Sequence, residues 1–328
     1  MIILHVIPGL DDPTCGIAVA AKMVARRQSK EGHVVECVGY REWTKVQIGG
    51  VDEVWVHSMW TPGVMMAAWT ALRTGKKLVR MPHGCMDPVK VRHRWWKKMW
   101  VTPFEKWLFA RADSVIATCE DEVKWIRNFE YGVKKVEMLS LGGCVDLNRV
   151  DRVERVDGEG ELRLLFVGRL HPLKGVEYLI RALHELNHEI HETHEKGSGV
   201  VLKIIGKDEG EGEKLRQLVK EFGLDVEFCG VVSEEEKEKA WKWCDVLVLP
   251  TLSENFGLVV AEALERGKRV ITTDGAPVWD PGVSSQELGV SVGYGGRLLY
   301  LKRYRDGAKE KRVELLKKAI VRVGEGFR

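Results

Sequence analysis

The stretch RLLFVGRLHPLKGVEYLIRAL, Arg163 to Leu183, runs from an apolar strand through a loop bounded by Gly168 and Gly175 into an apparent helix beginning at Val176. A strand that passes directly into a helix is the repeating unit of a parallel sheet covered by helices. The same alternation extends in both directions. Upstream, strands are expected at Ile2–Ile7, Val34–Val38, Glu53–His57, Lys77–Met81, Ser114–Ala117 and Lys135–Met138. Downstream of Arg163–Val167 they are expected at Val200–Ile205, Val226–Cys229, Val246–Leu249 and Arg269–Thr272. Two such series predict two doubly wound, Rossmann-like α/β domains, residues 1–150 and 151–328, meeting in the polar, glycine-bearing stretch Gly142 to Glu161. Lys309 to Val323 reads as a terminal amphipathic helix, whereas Pro277 to Gly296, with its prolines and glycine pairs, yields no assignment.

A length of 328 residues suits two cores, and 45% apolar with 30% charged residues is ordinary for a folded protein. The formal net charge of +3 is small and the basic residues are interleaved with acidic ones, so nucleic acid is not an expected partner. The chain opens directly on a strand without a basic leader, and the seven cysteines form no C-x-x-C pair, which together point to the cytosol and reduced thiols. No apolar run reaches the roughly 20 residues of a membrane-spanning helix.

Ligands of open α/β sheets sit at the carboxyl ends of strands. There, Arg169 and Lys174 supply two cations beside a helix start, where an anion such as a diphosphate is stabilised, and Gly168 permits close backbone approach. An ordinary charged surface loop turned by Pro172 has the same composition. After Val246–Leu249 comes PTLSENFGLVVAEALERG, in which Glu262 is the lone charge of an apolar segment. A helix starting near Phe256 would set Glu254 and Glu262 about 12 Å apart on one side, with the amides of Asn255, Phe256 and Gly257 free at its mouth. The plain alternative makes Glu254 a first-turn dipole partner and Glu262 a paired buried acid.

The pattern strand-GR-x4-KG followed about 80 residues later by P-x3-EN-x-G-x4-E resembles the donor half of the retaining GT-B glycosyltransferases, specifically glycosyltransferase family 4, from Ile2 to about Pro277. The resemblance implies two Rossmann-like domains facing a cleft, the first on the acceptor side and the second binding a nucleotide sugar. It implies that Arg169 and Lys174 hold the donor diphosphate, Glu254 faces the transferred sugar, Glu262 binds the ribose hydroxyls, and the amides of Asn255, Phe256 and Gly257 contact sugar and phosphate. Gly16, in Thr14-Cys15-Gly16-Ile17, matches a loop that approaches the donor, although Cys15 replaces the family's glycine. His83, in Pro82-His83-Gly84, is similar to the family's active-site histidine and is expected at the transferred sugar and acceptor. The implied donor is a UDP-sugar, or GDP-mannose second, with no metal or other cofactor, and the implied acceptor is an envelope or exopolysaccharide glycan, free or lipid-linked. A GT-B epimerase or hydrolase, and a non-catalytic nucleotide-sugar-binding subunit, are the competing readings.

His184, His188 and His191 share helical spacing, but the surrounding glutamates and the lack of H-E-x-x-H favour a solvated helix end over a metal site. No G-x-x-x-x-G-K-[ST] is present, and no G-x-G-x-x-G follows the first strand. In KVRHRWWKKMWVTPFEK, Lys90 to Lys106, six Lys or Arg accompany one acid. A continuous helix there sets Trp96, Met99 and Trp100 on one side and Arg94, Lys97 and Lys98 toward the other. Two readings stay open: tryptophans packed into the domain under a solvated basic face, or docking on an anionic membrane surface, peripheral on the inner face of the cytoplasmic membrane.

Overall fold

The computed structural model describes residues 1–12, 15–46, 48–92, 95–128, 132–139, 161–193, 199–254, 257–273, 276, 290–293, 298–301 and 309–325. Within these, the side chains of 45, 89, 97, 189–193, 290–293, 298–301 and 325 are not described. The chain forms two compact units, Met1–Cys144 and Val145–Arg328. Each is an α/β Rossmann-like unit.

In the first unit, β1 (Ile2–Ile7), β2 (Val34–Gly39), β3 (Glu53–His57), β4 (Lys77–Met81), β5 (Ser114–Ala117) and β6 (Val136–Met138) form a parallel sheet in the order β2-β1-β3-β4-β5-β6. Strands so placed are covered on both faces and therefore read as nearly continuous apolar runs. Helix α1 (Gly16–Lys30) turns Ala18, Ala20, Ala21, Val24 and Ala25 inward. Helix α2 (Pro62–Arg73) adds Val64, Ala67, Ala68 and Ala71, small residues that bring its backbone close to the sheet. The chain order reverses between β1 and β3, creating a crevice beyond their carboxyl ends.

After α3 (Pro88–Arg92), α4 (Trp95–Met99), α5 (Thr102–Arg111) and α6 (Glu120–Asn128), the second unit opens with β7 (Leu162–Val167). Then come α7 (Val176–Thr193), β8 (Val200–Ile205), α8 (Gly212–Phe222), β9 (Val226–Gly230), α9 (Glu234–Trp243), β10 (Val246–Leu249), α10 (Leu258–Glu265), β11 (Arg269–Thr273), β12 (Val290–Gly293), β13 (Leu298–Leu301) and α11 (Lys309–Glu325). The sheet order is β12-β13-β11-β10-β7-β8-β9, parallel except for the β12–β13 pair, and its reversal falls between β7 and β10. Strands β12 and β13 extend the second series beyond the strands expected from sequence.

Helix α11 buries Val313, Leu316, Ala319, Ile320 and Val323, a stripe at three- and four-residue spacing. It lies on α7, where Arg312 donates to the Tyr178 hydroxyl at 2.7 Å, and Arg269 donates to the Val323 carbonyl at 2.8 Å. On α7 itself, His184 stacks on Phe222 with ring centroids 3.9 Å apart, so this member of the histidine-rich segment packs against α8 and is not part of a solvated end.

Candidate functional site

The crevice of the second unit is built by contacts between backbones. Gly168 donates to the Ile205 carbonyl at 2.9 Å, and Leu170 donates to the Lys207 carbonyl at 2.8 Å. Gly206 has φ +147°, and a Cβ there would lie 1.9 Å from the Gly168 carbonyl oxygen, so only glycine lets these two loops touch. On the other side Leu252 donates to the Leu173 carbonyl at 2.7 Å and the Thr251 hydroxyl donates to the same oxygen at 3.1 Å. Gly175 has φ +69°, and its missing Cβ would lie 2.2 Å from the Pro250 carbonyl oxygen. The loop after β7 is thereby clamped to the loop after β10.

The clamp brings Lys174 onto Glu254 as an ion pair whose side chains are 12% and 20% exposed. Arg169 turns instead to Glu209, 2.7 Å away, with 49% of its side chain exposed. Gly257, at φ +64°, is the N-cap of α10, and the helix begins at Leu258. This corrects the expected start near Phe256: Glu254 belongs to the loop, so the argument from helical spacing between Glu254 and Glu262 does not apply. Glu262, the lone charge of its own segment, finds a partner on another helix, in line with the plain alternative of a paired acid. Its Oε2, shielded from solvent, lies 2.7 Å from Lys237 Nζ on α9 in an ion pair whose angle is not that of a hydrogen bond. Asn255 and Phe256 lie outside the described residues.

The first unit equips its strand ends differently. Ser58, Trp60 and His83 have φ of +75°, +57° and +54°, strained values for residues with side chains. Two buried carboxylates hold the strained turns. Glu105 pairs with Arg80 at 3.0 Å, both side chains having 0% exposure, and accepts from the Trp60 amide at 2.6 Å, while Arg80 also donates to the Ser58 carbonyl. Glu122 accepts from the Gly84 amide, and from the amide and hydroxyl of Thr118, each at 2.7 Å. Burial pushes the Glu122 carboxyl above its ordinary range despite these donors.

His83 is buried and ends a chain of imidazoles. Its Nε2 lies 2.8 Å from His57 Nδ1, His57 Nε2 lies 2.9 Å from His5 Nδ1, and His5 Nε2 lies 2.7 Å from Gln28 Oε1. Successive rings stack at 5.1 Å. Burial lowers His5 to about 4, lowers His83 to about 3 and holds His57 well below its ordinary value, so all three are neutral near pH 7. Sequence reasoning missed His5, His57 and Gln28, and the signal was a histidine inside each of the apolar strands IILHVI and EVWVH. Gly16 starts α1, and a Cβ there meets nothing within 4 Å.

The basic tryptophan segment is helical over α3, α4 and α5, and the helix is interrupted by a turn at Trp100 and Val101 before α5; Pro103 lies in the first turn of α5, a position suited to starting a helix. The reading with packed tryptophans is corrected for Trp95, Trp96 and Trp100, which are 60%, 55% and 82% exposed. Lys98 donates to the Lys90 carbonyl at 2.6 Å and sits 4.5 Å over the Trp60 ring. Trp60, Val91, Trp95 and Met99 line a groove beside it. Arg94 and the Lys97 side chain lie outside the described residues. No described helix is long and apolar enough to cross a membrane.

Comparison with known proteins joins the two units to one family. The model described as Glycosyl transferases group 1 matches residues 149–287, and that described as Glycosyltransferase Family 4 matches residues 41–149. A D-inositol 3-phosphate glycosyltransferase of Nocardioides sp. is 33% identical over 190 residues, 51% of this chain and 40% of that protein. An uncharacterized glycosyltransferase of Methanocaldococcus jannaschii is 34% identical over 165 residues, 49% of this chain and 38% of its own. The matches thus span about two fifths of these relatives' lengths. Among solved structures, sucrose-phosphate synthase from Thermosynechococcus elongatus has a TM-score of 0.70 at 15% identity, covering 99% of this chain and 94% of its own. Anabaena HepE, in complex with UDP and glucose, has a TM-score of 0.64 at 17% identity, covering 98% and 90%. With both family models falling in sequence along the two Rossmann-like units, the chain belongs to glycosyltransferase family 4 and has the GT-B type of fold.

Proposed function

We propose that this protein transfers a sugar from a nucleotide-sugar donor to a glycan or lipid-linked acceptor in envelope or exopolysaccharide synthesis, with retention of anomeric configuration. The observation that carries the reading is the clamp at the β7/β10 crevice, which holds Lys174 against Glu254 with Arg169 at the adjoining strand end. Cleaving the bond between sugar and diphosphate leaves negative charge on the diphosphate. Arg169, Lys174 and the Gly257 amide stabilise that charge in place, and Gly168, lacking a side chain, permits close approach. Glu254, released from Lys174 when the diphosphate takes its place, orients the sugar. Glu262 binds the ribose hydroxyls, and the amides of Asn255 and Phe256 are assigned to the sugar and phosphate. Gly16 is assigned to the donor, and neutral His83 to the sugar or acceptor, which it meets without carrying charge. The acceptor proton passes to the donor phosphate.

A UDP-sugar is the favoured donor, supported by the UDP and glucose bound to Anabaena HepE, and GDP-mannose is second. A transfer assay with both donors, against glycan, lipid-linked glycan and D-inositol 3-phosphate, tests the reading. Turnover that needs an acceptor and survives excess chelator supports it. Donor consumption without acceptor points to a hydrolase or epimerase, and binding without turnover to a non-catalytic subunit.

The exposed Trp95, Trp96 and Trp100 beside Lys98 and Lys106 favour a second role, docking on an anionic bilayer at the inner face of the cytoplasmic membrane. Indoles settle among lipid headgroups, and each nearby cation adds about 1 kcal/mol. Flotation with anionic vesicles is expected to be salt-sensitive and reduced by Trp96→Ala, Lys98→Glu and Trp100→Ala together. Equal binding to neutral vesicles removes this role.

A further inference from the structure

The imidazole chain crosses the first unit from α1 to the strand ends. Gln28 lies on α1, His5 within β1, His57 at the end of β3 and His83 two residues past β4, and β1, β3 and β4 are adjacent in the sheet. A neutral imidazole carries one N–H and one bare nitrogen, so along an unbroken chain every ring must point its proton the same way. The direction is then set at an end. Gln28 presents Oε1, an acceptor, to His5 Nε2. His5 therefore carries its proton on Nε2 and accepts at Nδ1 from His57 Nε2–H, and His57 in turn accepts at Nδ1 from His83 Nε2–H.

We propose that Gln28 is a positioning residue that fixes the His83 tautomer through His5 and His57, so that His83 offers a proton-free Nδ1 to the ligand. A bare Nδ1 accepts a hydrogen bond from a hydroxyl of the sugar or acceptor and gives none to a phosphate oxygen. The depressed titration of all three histidines keeps the chain neutral, which it requires in order to hold one direction. Mutual polarisation along the chain reinforces whichever direction Gln28 selects. Had Gln28 turned its NH₂ to His5, every proton would move to Nδ1 and His83 would become a donor at the ligand. The amide thus acts on the chemistry of a group at the opposite end of the chain without touching it.

This inference rests on the reading that His83 meets sugar or acceptor, and its test separates the two. Long-range ¹⁵N–¹H correlation spectra of the full chain labelled at histidine distinguish protonated from bare ring nitrogens, with the His83 signals identified by their loss in His83→Asn. The wild-type protein is expected to show His5, His57 and His83 all protonated at Nε2. A proton on His83 Nδ1 overturns the proposal without any variant being made. In Gln28→Met, which keeps the side-chain length and removes the acceptor, and in His57→Phe, which cuts the chain, His83 is expected to become a mixture of tautomers. His83 still wholly Nε2–H in folded Gln28→Met overturns it as well. Turnover of Gln28→Met should fall with the fraction of the competent tautomer, about twofold if the two forms become equal. If His83→Ala leaves transfer unchanged, the reading of His83 fails while the tautomer result stands on the spectra alone.

Discussion

At the β7/β10 crevice the proposed groups are charges in ion pairs: Arg169 is half exposed against Glu209, and Lys174, largely shielded, meets Glu254 across two loops clamped by their backbones. At the ends of β3 and β4 the groups are buried: neutral histidines in a chain, an Arg80–Glu105 pair without exposure, and three side-chain-bearing residues at positive φ. Both regions border a reversal of strand order in a parallel sheet. The difference shows that one topology supports either kind of site, and that it matters where the cost falls. Close approach at the charged crevice comes from glycines. In the buried one, ions and hydrogen bonds removed from water hold strained turns, so the function proposed for His83 would be coupled to stability there.

Removing single carboxylates gives the largest expected contrast. Glu105→Ala leaves Arg80 charged and unpaired in the core and should cost about 3–5 kcal/mol in urea unfolding, whereas Glu209→Ala should cost less than about 1 kcal/mol. Similar losses would erase the distinction. Acid gives the next. The unfolded histidines take up protons below their ordinary value of 6.5, while folded His5 resists to about 4 and folded His83 to about 3. Their contribution is therefore complete above pH 6.5 and is lost as pH falls toward these values, by up to about 1.4 kcal/mol per histidine per pH unit. Glu122, pushed up, works in the opposite sense near the acid end. Hydrogen exchange should show β1, β3 and β4 losing protection before β7 and β10 between pH 6.5 and 4; simultaneous loss would count against a separate acid weakness.

On activity the order reverses. Lys174→Ala and Arg169→Ala should each lower transfer about 100-fold, with Arg169→Ala changing stability by less than about 1 kcal/mol, and normal transfer in both would remove the crevice from the reaction. The smallest contrast lies within the crevice. Glu254→Gln should lower kcat about tenfold, and Glu262→Gln should raise the donor Kd about tenfold. Identical effects on binding alone would merge the two roles.

The sequence exposed the charged crevice because glycine and charge leave marks at fixed spacing. Gly168, Arg169, Lys174 and Gly175 are legible as a loop, and the β-branched runs flanking them as strands. Where Glu254 ends up was less legible, because Gly257 takes a left-handed conformation and delays α10 to Leu258. The buried site left almost no mark. Ser58, Trp60 and His83 occupy backbone conformations expected of glycine, and nothing local announces that Glu105 or Glu122 holds them. Between Lys90 and Lys106 the helical period persists while the helix is interrupted at Trp100 and Val101 before α5, since periodicity records faces and not interruptions. Strands β12 and β13 pair with the edge of a sheet already complete enough to be recognised without them.

The Lys174–Glu254 pair means that the crevice carries its own counter-ion. An anion arriving there finds a cation whose field at a distance is already cancelled, so attraction from bulk solution is weak and encounter is governed by diffusion and fit. Binding is then an exchange in which one anion displaces another and the net charge lost from solvent is small. Such a site discriminates by what remains after the swap: a ligand able both to replace the carboxylate at Lys174 and to give the displaced Glu254 hydroxyls to accept from is favoured over one that supplies negative charge alone. Chloride and sulfate, which carry no hydroxyl, meet the first condition and fail the second, so in the proposed role the pair would act as a filter against such simple anions.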